Sequence, residues 1–284
     1  MPLSKFQFKP GVFKEGTDYD NEGGWFDANL VRFKAGRPQK IGGWRKDNTN
    51  SFLGTCRALH GWLTLAGTKL LGLGTTKKYY IEEGTTFADV TPIRLTTSAG
   101  DVTFAKVANG DATLTVSDTA HGAVAGDFVT YTDAASLGGN IGTSVLNQEY
   151  EITTIINANS YNIEAKDTSG DPVLAAAGDS GNGGSSTVGA YQVNIGLDVF
   201  VTSTGWGVGL WGAGAFGSST ALTLSNQLRL WSHDNFGEDL LVNPRAGGVY
   251  YWDATNGITT RAYDLSTQSG ADLVPTVGLQ VLVS

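Results

Sequence analysis

The sequence predicts a mainly β protein: propeller-like blades of antiparallel sheet, with a small β-barrel or sandwich domain inserted between them. Three observations predict it. Gly supplies 39 of the 284 residues while charged residues make up only 16%, a composition suited to short strands joined by tight turns rather than to Glu- and Lys-rich helices. A four-strand rhythm of about forty residues, the length of one four-stranded blade, occurs twice. The stretch between the two copies alternates apolar and polar residues at the strand period of two.

Taken in order, residues 1–50 form an extended arm. Turn signals at Pro10-Gly11, Gly23-Gly24, Pro38 and Gly42-Gly43 leave room for one short strand, Asn29 to Lys34. Such an arm cannot bury itself, so Trp25 and Trp44 are expected to anchor it to a larger body or a neighbouring subunit. Residues 51–95 form the first blade-like unit, with candidate strands CRALHGWLTL, KLLGLGTT, KKYYIEEG and TFADVTPI. Residues 191–284 hold further blade-like units, an incomplete propeller, and repeat the rhythm in NQLRLWSHD, DLLVNP, GGVYYWDATNG and TRAYDL. Tyr79-Tyr80 followed by Gly84 aligns with Tyr250-Tyr251 followed by Gly257. Two ordinary meanders of one sheet would give the same pattern.

Residues 96–190 are the inserted β-domain. Leu114 and Val116, then Phe128, Val129 and Tyr131, alternate as strands do, and Asn157 to Ser160 reads as a hairpin turn. Residues 134–149 carry at most about a turn of helix, and GDSGNGGSS (Gly178 to Ser186) reads as a flexible linker. An insertion of this size is tolerated because loop-closure entropy grows slowly with length.

Composition also limits function. The formal net charge is −8, which argues against binding nucleic acid by neutralising phosphates. A single cysteine, Cys56, excludes an intrachain disulfide framework. No apolar run approaches the length of a spanning helix, and MPLSKFQFKPGVF lacks the apolar core of a signal peptide. Synthesis in the cytoplasm is expected.

Residues 205–217, GWGVGLWGAGAFG, contain two overlapping G-x-G-x-x-G motifs. A dinucleotide loop needs a helix after it, and three glycines within residues 212–217 oppose one at about 1 kcal/mol each. The better reading is a glycine chain whose rings, Trp206, Trp211 and Phe216, dock into apolar grooves and seal subunit contacts. Asp18 to Gly23 matches half a calcium loop, but its twelfth position is Asn29. Cys56 and His60 lack the further ligands a zinc site requires; Cys56 reads as a small core residue and His60 as a strand position. His121, with Asp127 beyond it, and His233 fall in turn-like settings. The acid pairs Glu82-Glu83 and Glu238-Asp239, the latter near Asp234, are also placed at turns, and neighbours along a strand point to opposite faces. No catalytic residue, metal or cofactor is expected. Lys34, Arg37, Lys40, Arg45 and Lys46 make the arm locally basic; interleaved with Trp25, Phe33 and Trp44 they suit either nucleic acid or, preferably, an acidic neighbouring subunit.

The segments Pro10 to Trp44, 205–217 and Leu228 to Asp253 (LRLWSHDNFGEDLLVNPRAGGVYYWD) together resemble the nozzle, or tail-hub and packaged-DNA-stabilisation, proteins of short-tailed bacteriophages. Within the insertion, Asp118-Thr119-Ala120-His121-Gly122 is similar to small β-domains of phage tail proteins. The resemblance covers residues 1–95 and 190–284. It implies a virion tail protein: a propeller-like body in a homo-oligomeric ring, usually of six copies, below the portal and adaptor. Tailspikes, fibres or a needle are neighbours. The ring retains packaged DNA and opens for ejection, with genomic DNA passing through the lumen without sequence-specific binding. No catalytic residues are implied. Two blade-like units fall short of the four a propeller needs, so the chain is expected to be shorter than its relatives or a part of a longer protein. The competing reading is a carbohydrate-binding or depolymerase-like tail protein, which would set Trp and Tyr on an open face beside acids.

Overall fold

The computed structural model describes residues 8–17, 19–43, 45–46, 48–194, 196–197 and 228–284. It divides into two compact units, residues 1–49 and 50–284. The described residues are mainly β, in several antiparallel sheets with very little helix.

The first unit is built on a two-stranded ribbon, β1 (Val31–Lys34) and β2 (Arg37–Lys40). The strand begins two residues later than the expected Asn29, because Leu30 lies at φ 55°, in the left-handed region that interrupts a strand. Ala35 (φ 50°) and Gly36 (φ 76°) make the two-residue turn, with both central residues at positive φ as a type I′ hairpin demands. Trp25 is half-buried. Its ring lies 5.7 Å from Phe8 and 6.2 Å from Phe33.

The second unit opens with a four-stranded meander: β3 (Cys56–Leu63), β4 (Lys69–Thr75), β5 (Tyr79–Glu83) and β6 (Thr86–Asp89). Eight strands follow: β7 (Ile93–Thr96), β8 (Thr103–Lys106), β9 (Thr113–Ser117), β10 (Phe128–Thr132), β11 (Glu149–Glu151), β12 (Thr154–Asn157), β13 (Ser160–Glu164) and β14 (Val188–Gln192). They form two four-stranded sheets, β11-β10-β14-β7 and β12-β13-β9-β8. A single helical turn, α1 (Thr143–Leu146), lies between β10 and β11 of the first of these sheets. The closing meander is β15 (Trp231–Phe236), β16 (Asp239–Pro244), β17 (Tyr250–Trp252) and β18 (Tyr263–Asp264), again paired in chain order.

Two cores result. One lies within residues 102–191, where Val129, Tyr131, Tyr150 and Tyr191 pack with Phe104, Leu114, Val116, Tyr161 and Ile163. The other is shared by the two meanders, with Leu70, Tyr79 and Ile81 packed among Trp231, Leu240, Val242, Tyr250 and Trp252. Both meanders place a Tyr-Tyr pair at the head of their third strand. Tyr79 and Tyr250 belong to the shared core, and strand alternation sends Tyr80 and Tyr251 to the opposite faces. Gly74 of β4 makes this packing possible: a Cβ there would stand 2.5 Å from the Trp231 ring.

The glycine- and serine-rich stretch from Gly178 to Ser186 is a packed loop, contrary to the linker its composition suggests. The buried Asp179 carboxylate accepts N–H bonds from Gly139 (2.8 Å), Asn140 (3.1 Å), Ile141 (2.9 Å) and Ala176 (2.7 Å). Phe104 N–H donates to the Asn182 carbonyl at 3.0 Å and Ala135 N–H to that of Gly183 at 2.7 Å. Burial works to raise the Asp179 carboxyl, yet the N–H donors hold it below the usual carboxylate range.

Candidate functional site

The densest charged constellation lies where three segments of the second unit meet. Lys78, just before β5, reaches Asp89 at the end of β6, Nζ to Oδ2 2.6 Å, and also pairs with Glu149 of β11. Arg261, ahead of β18, donates to the same two carboxylates at 3.0 and 2.9 Å. Thr91 N–H (2.9 Å) and its hydroxyl (2.6 Å) occupy the other Asp89 oxygen. The Lys78 side chain is only 4% exposed, and its ammonium stands 4.7 Å from the centre of the Phe128 ring, where the ring's negative face attracts it. Two cations and two anions thus balance inside the fold. Lys77 pairs nearby with Glu151 at 2.7 Å.

The second constellation is aromatic and lies between the meanders. His60 of β3 and His233 of β15 stack with ring centres 4.9 Å apart. His60 Nε2 is 2.5 Å from Asn235 Oδ1, and His233 Nδ1 is 2.9 Å from the Tyr79 hydroxyl. Burial, with the neighbouring His60, pushes the His233 imidazole down to about 4. His233 is therefore a strand residue, opposite Val242, and not the turn residue its sequence surroundings suggest. Trp231 seals one side, its indole N–H donating to the Thr75 carbonyl at 2.7 Å.

The third is a buried hydroxyl chain in the double sheet. Tyr131, Tyr161 and Tyr191 are linked by two 2.6 Å hydroxyl contacts, and the Tyr191 hydroxyl donates to Asp118 Oδ2 at 2.5 Å. Burial raises the Asp118 carboxyl and, more strongly, the tyrosines. His121 beside them is buried; its Nδ1 accepts from Ala123 N–H at 3.0 Å, so Nε2 carries the proton given to the Asn157 carbonyl at 3.1 Å.

The residues singled out by sequence separate as follows. Of the five ring anchors, Trp25 is seated in the arm's aromatic cluster; Trp44, Trp206, Trp211 and Phe216 lie outside the described residues. Cys56 is half-buried. Asp18 of the half calcium loop lies outside the described residues, and Asp20 Oδ2 accepts from the Thr17 hydroxyl at 3.0 Å. Among the described residues no three His, Cys, Asp or Glu side chains converge as metal ligands. The acid pairs belong to strands more than to turns. Glu82 and Glu83 close β5, while Asp234 lies in β15 and binds Asn235 and Val283 N–H, both at 2.9 Å. Asp239 accepts the Tyr251 hydroxyl and Ala254 N–H. The Lys78–Asp89–Glu149–Arg261 network was not foreseen, since its members come from distant segments. The one local signal was a Lys-Lys pair set directly against an apolar strand.

No family model matches the chain, and no curated protein does. Among solved structures, the phage phi92 endosialidase is similar to 69% of this chain at 10% sequence identity, with a TM-score of 0.23. The chain spans 27% of that protein's length. Among the described residues no helix is long and apolar enough to cross a membrane.

Proposed function

We propose that the chain is a structural virion protein of a bacteriophage tail, of the nozzle or tail-hub kind. It builds part of the DNA-ejection channel and helps retain packaged DNA, and it acts mechanically rather than catalytically. The sequence likeness at Pro10 to Trp44, 205–217 and Leu228 to Asp253 supplies the class. The structural observation that supports it best is the pair of like meanders sharing one core, Tyr79 and Ile81 against Tyr250 and Trp252. A rigid wall is made from such repeated sheets, and each fully buried ring or branched side chain contributes about 2–3 kcal/mol. The charged residues at the junction are spent on one another. The excess of acids elsewhere would keep a channel from gripping DNA.

The carbohydrate reading has one observation in its favour. Tyr251 and Tyr263 lie 5.7 Å apart, close to Asp239 and Asp253, which both act on the Tyr251 hydroxyl. That ring is 9% exposed and already bonded to Asp239, a poor platform for a sugar. The deciding test is the solution mass of the purified protein together with immunogold electron microscopy of virions. A ring of several copies and label below the portal support the proposal. A monomer absent from virions sinks it, and binding to host polysaccharide would then favour the alternative.

A further inference from the structure

The arm's ribbon divides its side chains unevenly. Directly opposed residues of an antiparallel pair share a face, as do alternate residues along each strand. Val31, Phe33, Pro38 and Lys40 therefore lie on one face; Arg32, Lys34, Arg37 and Gln39 lie on the other. Phe33 packs toward Trp25, which gives the first face an aromatic neighbour within the arm. The second face carries three exposed cations, with Lys34 directly across from Arg37.

Left alone, this arrangement is unfavourable. Like charges placed directly opposite weaken a hairpin, and a two-stranded hairpin is marginal in water even without them. Among the described residues no carboxylate pairs with Arg32, Lys34 or Arg37; the arm's one such ion pair is Lys14 with Asp27, 2.9 Å. Residues 28–46 hold six Lys and Arg and no acid, whereas residues 50–284 hold 21 acids against ten bases.

We infer that the Arg32–Lys34–Arg37 face is an assembly surface that docks on the acidic 50–284 unit of a second copy of the chain. The setting rests on the oligomeric reading above; the surface and its partner go beyond it. Copies with a surplus of eleven acids in that unit repel one another, and a cationic ribbon laid on a neighbour offsets the repulsion. Nucleic acid is the rival polyanion. The ribbon would have to approach it while tethered to the same acidic unit, so the neighbouring copy is the better match.

The test uses the full chain. Sedimentation velocity is run at about 50 mM and about 500 mM salt, which moves the screening length from beyond 10 Å to a few Å. The variants are Arg32→Glu/Lys34→Glu/Arg37→Glu, the same positions changed to Gln, and Lys40→Glu on the opposite face. Wild type is expected to associate at low salt and to weaken as salt rises. The Glu variant should lose at least about tenfold in association, the Gln variant less, and Lys40→Glu little. Carbodiimide cross-linking of mixed isotope-labelled and unlabelled protein should join Lys34 of one copy to carboxylates of residues 50–284 in another. The inference is overturned by a monomeric wild type, by a Glu variant that unfolds normally yet associates like wild type, or by Lys34 cross-links confined to one copy. Unchanged association with lost retention on duplex DNA would hand the face to nucleic acid. Salt-sensitive assembly of a protein absent from virions would sink the tail reading and leave this one standing.

Discussion

His233 shows how one residue's surroundings set a measurable property. Its ring is stacked on His60 at 4.9 Å and bonded to Tyr79, and burial holds it neutral down to about pH 4. An unfolded chain takes up that proton near pH 6.5. As pH falls from about 6.5 to about 4, the unfolded state binds a proton that the native state refuses, so stability drops across that window and is level above it. The full shift sets a ceiling of about 3 kcal/mol, and partial contact with water brings the effect nearer 1–2 kcal/mol. Urea midpoints measured from pH 7.5 to 4, approximately the span of the two titrations, should show this slope in wild type. The slope should flatten in His233→Gln; equal slopes would mean that groups other than His233 carry the acid sensitivity. The tyrosine chain makes a second demand at this scale. Tyr161→Phe removes the hydroxyl that meets both Tyr131 and Tyr191, leaving two buried hydroxyls each short of a partner. The expected cost is about 1–3 kcal/mol in thermal or urea unfolding, whereas the partly exposed Tyr263→Phe should cost less.

At the scale of elements, the shared core of the meanders depends on β4 being thin where the Trp231 ring of β15 packs on it. Gly74→Ala would push a methyl into the Trp231 ring, and overpacking of this kind costs about 1–3 kcal/mol. Trp231 fluorescence should shift with the loss of stability; an unperturbed emission and midpoint would show that the meanders repack freely. Gly84→Ala, at φ 66° with open space around it, separates backbone strain from crowding. These elements differ in how openly the sequence displays them. The apolar run of β4, the Tyr-Tyr heads of β5 and β17, and the alternation of β9 and β10 are local patterns and could be read directly. The Gly178–Ser186 loop could not, because its order comes from one buried carboxylate and amides some 40 residues away. His233 was misplaced for a similar reason: polar residues flank it, and its strand is held by pairing with β16 and by a stack on β3.

At the scale of the whole second unit, the four-charge junction ties both meanders to the double sheet, and it was the least legible feature of all. Lys78, Asp89, Glu149 and Arg261 acquire meaning only once chain segments as far apart as Asp89 and Arg261 are folded together. The balance of its charges makes a sharp prediction. Lys78→Met leaves two carboxylates sharing Arg261, both deprived of their buried partner, and such a broken pair costs about 3–5 kcal/mol. Adding Glu149→Leu removes the surplus carboxylate and restores one cation to one anion, Arg261 with Asp89. The double variant should therefore be more stable than Lys78→Met alone, by about 1–3 kcal/mol of non-additivity. Urea unfolding of wild type, both single variants and the double completes the cycle. Simple additivity would show that Lys78 and Glu149 act independently, as exposed ion pairs worth about 1 kcal/mol or less do, and that the junction does not hold the meanders to the double sheet as one coupled unit.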